Sequence, residues 1–485
     1  MSTPIGHDSG QRGALRETVL LAGAAAASFL LSLARNKLQA LAFGPIGMGA
    51  IGLMQSSMST GTIITGLGVD SVVTRELART PASAEEERRH LRDAAVRGMP
   101  LVASIGALGT VGVFYLLSAR LGFGSTTEIV IVAIGALFGV VGANLRAVLA
   151  GLRQVRDLGI GSIVAAAVAA AFVAVLFGAP STPVVWALAA ITVPLAQLLV
   201  FAVALGRHPA GGTPKLFGAS VGGALALSRK STVLAVAGVL PVLSQLLIRT
   251  VAHDALNDVT FGYFQAALAL AAISISVLAS SVGPSVLPRL SAASSDPERL
   301  STVVSDQVAV YLLLYAPLVL ALEAVPELVI RVVYSEAFLP VADQLRWQLV
   351  GEVLRLPCWV MGTALTARGL YRQYLLFEGV SLLVAVAAVA VASSANSLAY
   401  LGVGLSVAVL VQFMILVAML WSGGVRLTSS ALIRVIGAAG ACALAAELAS
   451  ISATGRVLVL LVAVGLGVFA VMKLRAARGG FTRST

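Results

Sequence analysis

A charged side chain inside a long apolar stretch costs at least about 2.5 to 3.5 kcal/mol on insertion scales, so those that persist are the first candidates for chemistry. In the first such stretch Ser28, Ser32, Arg35 and Gln39 are spaced 4, 3 and 4 apart, which stacks them on one helix face, with Lys37 on another. Pro241, Gln245 and Arg249 repeat the theme at spacing 4 and 4. A guanidinium presents a planar fork to oxyanions, so a pair of such arginines suits a phosphate-like group. The competing reading is that both arginines sit near the outer ends of their spans and snorkel to the interface, binding nothing. Gln348, Glu352, Arg355 and Trp359 make a third ladder, in which Glu352 and Arg355 can form an internal i,i+3 ion pair.

Coupling to protons or sodium needs a carboxylate at membrane depth. Asp70, Glu323 and Glu352 are the candidates, with Glu447 a further one outside the repeat described below. Asp70 lies near the cytoplasmic end of its span, within reach of Arg75. Asn144 and Arg146 fall at the inner end of another span, as loop anchors or as lining of a cytoplasmic mouth. The histidines His7, His90, His208 and His253 are scattered and show no metal-ligand spacing, and Cys358 and Cys442 are not placed as a disulfide or metal pair. No Walker-type sequence occurs, so neither cofactor, metal nor ATP hydrolysis is expected.

The elements that must position these residues are membrane helices. Of 485 residues, 58% are hydrophobic and 11% charged, against roughly 25% charged in an ordinary soluble domain. The mean hydropathy is +0.96. Apolar runs of about 20 residues recur along nearly the whole chain, and their pattern is not the short alternation of an outer-membrane barrel. Backbone polar groups at that depth must be paired internally, which leaves α-helices. About fourteen spans are expected, beginning near residues 15, 49, 99, 127, 158, 183, 231, 258, 306, 341, 375, 397, 431 and 456. The first is too long for a signal-peptide core and is read as a retained span.

Placing the N-terminus in the cytoplasm puts most of the 33 Lys and Arg on that side, in the loops 75–97, 153–156, 207–230, 289–299 and 368–372 and in the tail 473–483. The positive-inside rule thus predicts both termini in the cytoplasm, with the basic cytoplasmic face of a many-span inner-membrane protein. The same rule accounts for the net charge of +11 without nucleic acid. No stretch outside the membrane is long enough for a soluble catalytic domain, so an enzyme is not expected.

The two halves carry similar landmarks at a displacement of about 214 residues: Arg35 with Arg249, Gly49 with Gly262, Arg75 with Arg289. Later, Gly151-Leu152-Arg153-Gln154 resembles Gly369-Leu370-Tyr371-Arg372-Gln373, shifted by 218 to 219. Two parallel six-span repeats imply two lobes around a central cavity. The expected division is residues 1–225 for spans 1–6, 226–425 for spans 7–12, and 426–485 for two extra C-terminal helices and a tail.

Five segments carry a family resemblance: FGPIGMGAIGL, GLGVDSVVTRELAR, FGYFQAALAL, LPRLSAA and ELVIRVVYSEAF. With them the chain resembles the Wzx-type O-antigen and exopolysaccharide flippases of the multidrug/oligosaccharidyl-lipid/polysaccharide (MOP) exporter superfamily. The resemblance implies an all-α integral membrane transporter that carries a polyprenyl-diphosphate-linked oligosaccharide to the outer leaflet by alternating access. Arg35, Lys37, Gln39, Gln245 and Arg249 would then meet the diphosphate and glycan. Family members often place Asp directly before the span-7 arginine, whereas Ile248 stands there in this chain. The nearest alternatives are a lipid II flippase and a MATE-like small-molecule exporter. The expected partners are the glycan lipid, membrane lipids and other polysaccharide-assembly proteins, with the transporter itself a monomer.

Overall fold

The computed structural model describes residues 7–66, 68–81, 83–98, 125–207 and 221–481, with isolated positions between 99 and 124. Every regular element among them is helical. Nine of the described helices are long and apolar enough to cross a membrane, and the chain is a multi-pass membrane protein. It divides into two compact units, Met1–His253 and Asp254–Thr485.

The first unit opens with α1 (His7–Gly66), which holds two expected spans in one kinked helix. The kink is at Gly44, whose φ of 61° and ψ of −167° lie outside the helical region. Glycine adopts that conformation without a Cβ clash, and the following Pro45 has no N–H to continue the ladder. After α1 come α2 (Val69–Arg79) and α3 (Glu85–Asp93), the latter continued by a π-helical turn over Ala94–Gly98. The expected span beginning near 99 lies outside the described residues. The unit continues with α4 (Thr126–Gly151), α5 (Val155–Val175), α6 (Pro183–Gly206) and α7 (Val221–Ala255). Helix α4 is central and packs on α1, α2 and α6. Ser125 caps α4, its Oγ accepting from the Glu128 N–H, and Pro183 starts α6, where a missing N–H costs nothing.

The second unit holds α8 (Asp258–Ala293), α9 (Pro297–Ala324), a short α10 (Pro326–Val333), α11 (Val341–Ala367), α12 (Tyr371–Ser393), α13 (Leu398–Ser422), α14 (Ser429–Ile451) and α15 (Ala453–Phe481). Helix α9 begins at 297, nine positions before the apolar run suggested. Asp296 caps it by accepting from the Glu298 and Arg299 N–H groups, and Pro297 fixes the first turn, so the helix starts in polar sequence. Helix α11 is the central element here, packed by α8, α9, α13 and α14. Its polar residues explain why hydropathy alone ranks it below its neighbours: Gln344, Gln348 and Glu352 are all buried. The two C-terminal helices dock on this unit, α14 on α9 and α11, and α15 on α9.

The connections α4–α5 and α11–α12 share one geometry. After α4, Arg153 is left-handed (φ 57°), its N–H bonds Ala150 O at 3.0 Å, and the Gln154 N–H returns to Leu149 O at 2.9 Å. After α11, Gly369 is left-handed (φ 73°), its N–H bonds Thr366 O at 3.0 Å, and the Leu370 N–H returns to Leu365 O at 2.9 Å. Both are Schellman-type closures followed at once by a new helix. The geometry pairs Arg153 with Gly369, 216 positions on, which corrects the 218 to 219 expected from the letters. Chain direction is fixed by the turn, and the Arg-Gln dipeptides lie three residues out of register with it.

Candidate functional site

Along α1, Ser32 Oγ donates to Ser28 O at 2.9 Å and is consumed within the helix. Arg35 is half-buried, and its Nη2 donates to Asn36 Oδ1 at 3.2 Å. Ser28 Oγ, Arg35 Nε and Gln39 Nε2 are buried with no hydrogen-bond partner. One face of the first span therefore carries three polar groups that the protein leaves unsatisfied, and such groups are rare in native interiors. Lys37 is half-buried.

On α7, Arg249 Nη1 donates to Gln245 O at 2.8 Å and to Gln245 Oε1 at 2.7 Å. The spacing of four thus produces a local clamp in which Gln245 orients the guanidinium. Arg35 and Arg249 are held by separate neighbours on their own helices, and the remaining N–H groups of Arg35 are left for another acceptor.

The acidic candidates diverge. Glu352 accepts from Arg355 Nε at 2.6 Å and from Nη2 at 3.0 Å, the expected i,i+3 ion pair. Glu323 is fully buried on α9, and neither carboxyl oxygen has a hydrogen-bond partner. Glu447 lies exposed on α14. Asp70, in the first turn of α2, does not pair with Arg75 as expected. Arg75 instead reaches its neighbour Glu76 at 3.4 Å, while the Asp70 side chain lines a small cavity with Asn144. The reason is helical direction, since residues 70 and 75 lie five apart and do not share a face.

The second unit holds a feature that the sequence did not reveal. A groove of about 1050 Å³ runs between α8, α9, α14 and α15, walled by apolar residues such as Leu313, Leu320, Leu466 and Phe469. At one end stand Arg289, Arg299 and Arg434 with Asp306. These arginines come from the last turn of α8, the second residue past the start of α9 and the start of α14, so only tertiary structure assembles them. A largely apolar groove that also carries arginines matches an amphiphile with an anionic head. A second cluster was also missed: Glu327 on α10 binds Arg346 of α11 and, at 3.1 Å, Arg456 of α15. It ties the short α10 to the helices on either side.

Residues 125–343 match the family model described as polysaccharide biosynthesis protein. No curated protein matches the sequence. Solved structures do. The lipid II flippase MurJ in an inward closed conformation aligns with a TM-score of 0.68 and 13% identity, covering 95% of this chain and 99% of that one. An inward-facing multidrug resistance MATE family transporter of the MOP superfamily aligns at 0.67 and 14%, covering 85% and 95%. A MOP superfamily transporter from Pyrococcus furiosus, described as having a binding pocket of reverse polarity, aligns at 0.58 and 14%, covering 84% and 95%. The chain has the two-lobed fold of MOP-superfamily transporters. Together with the polysaccharide-biosynthesis match, that fold supports the resemblance to Wzx-type flippases carried by its motifs.

Proposed function

We propose that this MOP-fold membrane protein is a flippase that moves a polyprenyl-diphosphate-linked oligosaccharide from the cytoplasmic to the outer leaflet of the bacterial inner membrane, by alternating access, for cell-surface polysaccharide synthesis. The observation that carries the reading is the polysaccharide-biosynthesis match over 125–343 on a transporter fold. The groove of the second unit supports the choice of a lipid-linked cargo, since its lining joins apolar residues with arginines, as an amphiphile requires. Arg35, with its unsatisfied Nε, and the Gln245-clamped Arg249 are assigned to the diphosphate, where charge-assisted, bidentate hydrogen bonds are strongest. Lys37 and Gln39 complete this polar set on the first span. No covalent step is assigned to any residue, and the charge distribution supports cytoplasmic termini.

A second reading, transport of lipid II, is favoured by the 95% of this chain that aligns with the lipid II flippase MurJ. It shares the carrier chemistry and differs in the glycan.

The test is flipping of a fluorescent polyprenyl-diphosphate oligosaccharide in proteoliposomes, with wild type, Arg35→Ala and Arg249→Ala at matched protein levels. Loss of about tenfold or more in each variant is expected, the scale of a lost hydrogen bond to a charged group. Full activity in both variants removes the arginines from the substrate path. Absence of wild-type flipping for any polyprenyl-diphosphate lipid overturns the assignment itself.

A further inference from the structure

Helix α1 ends at Gly66 and α2 begins at Val69, with Gly68 left-handed (φ 65°, ψ 18°) between them. The second span is therefore a broken helix. Its two pieces are fastened to α4 on either side of the break: Thr62 Oγ1 donates to Ala136 O at 3.2 Å, and Thr74 Oγ1 to Ala147 O at 3.3 Å. The break encloses a cavity of about 210 Å³, lined by Thr62, Gly66, Gly68, Asp70, Ser71 and Asn144.

Three facts define its chemistry. The Asp70 carboxylate has no ion-pair or hydrogen-bond partner among the described residues and lines the cavity. Asn144 is 2% exposed, and its Nδ2 donates to Val140 O at 2.9 Å, which directs the amide so that Oδ1 is the free atom. That Oδ1 is buried without a donor. Finally, Gly66 lies where the main-chain carbonyls of α1 run out of intrahelical partners, at the negative end of the helix dipole. Carboxylate, carboxamide oxygen and terminal carbonyls are acceptors, the hydroxyls can accept as well as donate, the first-turn N–H groups of α2 lie beside them, and no Lys or Arg lines the cavity.

We propose that the broken second span is a monovalent cation site, with Asp70 and Asn144 as its side-chain ligands and Thr62 and Ser71 as hydroxyl neighbours. Oxygen donors at an unwound helix suit a hard cation such as sodium. A single carboxylate balances a single charge, whereas calcium sites gather several. Among the described residues no group of three acidic, His or Cys side chains gathers to hold a divalent ion. An anion is excluded by Asp70 itself. Of the other acids, Glu352 is spent on Arg355.

The repeat sharpens the inference. In the second unit α8 runs unbroken from Asp258 to Ala293. A displacement of 214 puts Pro284 at the place of Asp70, and the 216 of the Schellman turns puts Val360 at the place of Asn144. One ion per chain follows. Gly238 of α7 also lines the cavity, so occupancy is felt by the helix that carries Gln245 and Arg249. The use of the site, coupling an ion gradient to transport, rests on the proposed function, but binding does not.

The experiment is equilibrium binding of radioactive sodium to the purified full-length chain in nanodiscs, without substrate, with choline chloride holding ionic strength. Thermal unfolding in sodium, lithium, potassium and choline chlorides is read alongside. Saturable binding of one ion per wild-type chain is expected, weakened about tenfold or more by Asp70→Asn, the scale of losing a charged ligand, and several-fold by Asn144→Ala. Glu323→Gln binds as wild type does. Should Asp70→Asn fail to fold, Asn144→Ala and Asp70→Glu carry the comparison. No saturable binding, equal binding by the wild type and both site variants, or a loss confined to Glu323→Gln overturns the site. Because substrate is absent, each outcome is separate from the fate of the flippase assignment.

Discussion

The connection after α4 and the one after α11 close with the same hydrogen bonds, yet one uses Arg153 and the other Gly369 at the left-handed position. The helices they join differ in the same way. Position for position, Glu352 and Arg355 of α11 correspond to Ala136 and Gly139 of α4. The second unit fills its central helix with an ion pair, while the first leaves the space to Thr62, whose hydroxyl would lie 2.3 Å from a Cβ at Gly139. A shared backbone therefore carries two interiors. Both units keep unsatisfied buried polar groups, the first on α1 and at Asn144, the second at Tyr311, Glu323 and Gln344, but the central helix of the second spends Glu352 on Arg355 where that of the first has Ala136 and Gly139. Residual polar capacity is where a transporter meets its cargo and ions.

The largest effect expected from this contrast is at the ion pair. Glu352→Gln strands the Arg355 guanidinium and costs about 2 to 3 kcal/mol, somewhat below the range for fully buried pairs because Arg355 keeps about a third of its exposure. Replacing both residues with apolar ones recovers most of that loss. Denaturant titration of the three variants measures it. An unchanged single variant would return Glu352 to the list of ion-coupling residues and blur the distinction between the units.

Next in size is the pair Gly135 and Gly351, which correspond across the repeat. A Cβ at Gly351 would stand 2.5 Å from the Ser406 Cα, main chain that cannot yield. A Cβ at Gly135 would stand 2.6 Å from the Met58 Sδ, the end of a flexible side chain. Gly351→Ala should cost about 2 kcal/mol or more by overpacking and Gly135→Ala less than about 1. Unfolding midpoints compared side by side decide it, and equal costs would show that the central helices are packed alike.

The smallest effect is at the turns themselves. Arg153→Gly relieves a left-handed residue and should stabilise by about 0.5 to 1 kcal/mol, whereas Gly369→Ala should destabilise by about 1. Nothing lies within 4 Å of a Cβ at Gly369, so backbone strain alone is read there. A loss in Arg153→Gly would mean that the arginine side chain has a task beyond closing the turn.

Helix positions were legible because each span must present about 20 apolar residues, and α6, α8 and α11 begin where hydropathy places them. The i,i+3 pair of α11 was legible because it is local to one helix; the spacing put Gln245 and Arg249 on one face, but not the bond between them. The break at Gly66–Gly68 was hidden inside an apolar run, where glycine gives no sign of whether it packs or unwinds. The groove of Arg289, Arg299 and Arg434 was hidden more deeply. Arg289 and Arg299 read as ordinary positive-inside charges and Arg434 falls inside an expected span, and only the docking of α14 and α15 on α9 brings them together.

The central claim is that the cargo is an amphiphile. Vesicles containing the wild-type protein can be offered, in parallel, a fluorescent polyprenyl-diphosphate oligosaccharide and a small fluorescent organic cation, with initial crossing rates taken against protein-free vesicles. Protein-dependent crossing of the lipid-linked glycan, and none of the cation, is expected. Crossing of the cation while the glycan lipid stays in its leaflet would contradict it and make the chain a small-molecule exporter.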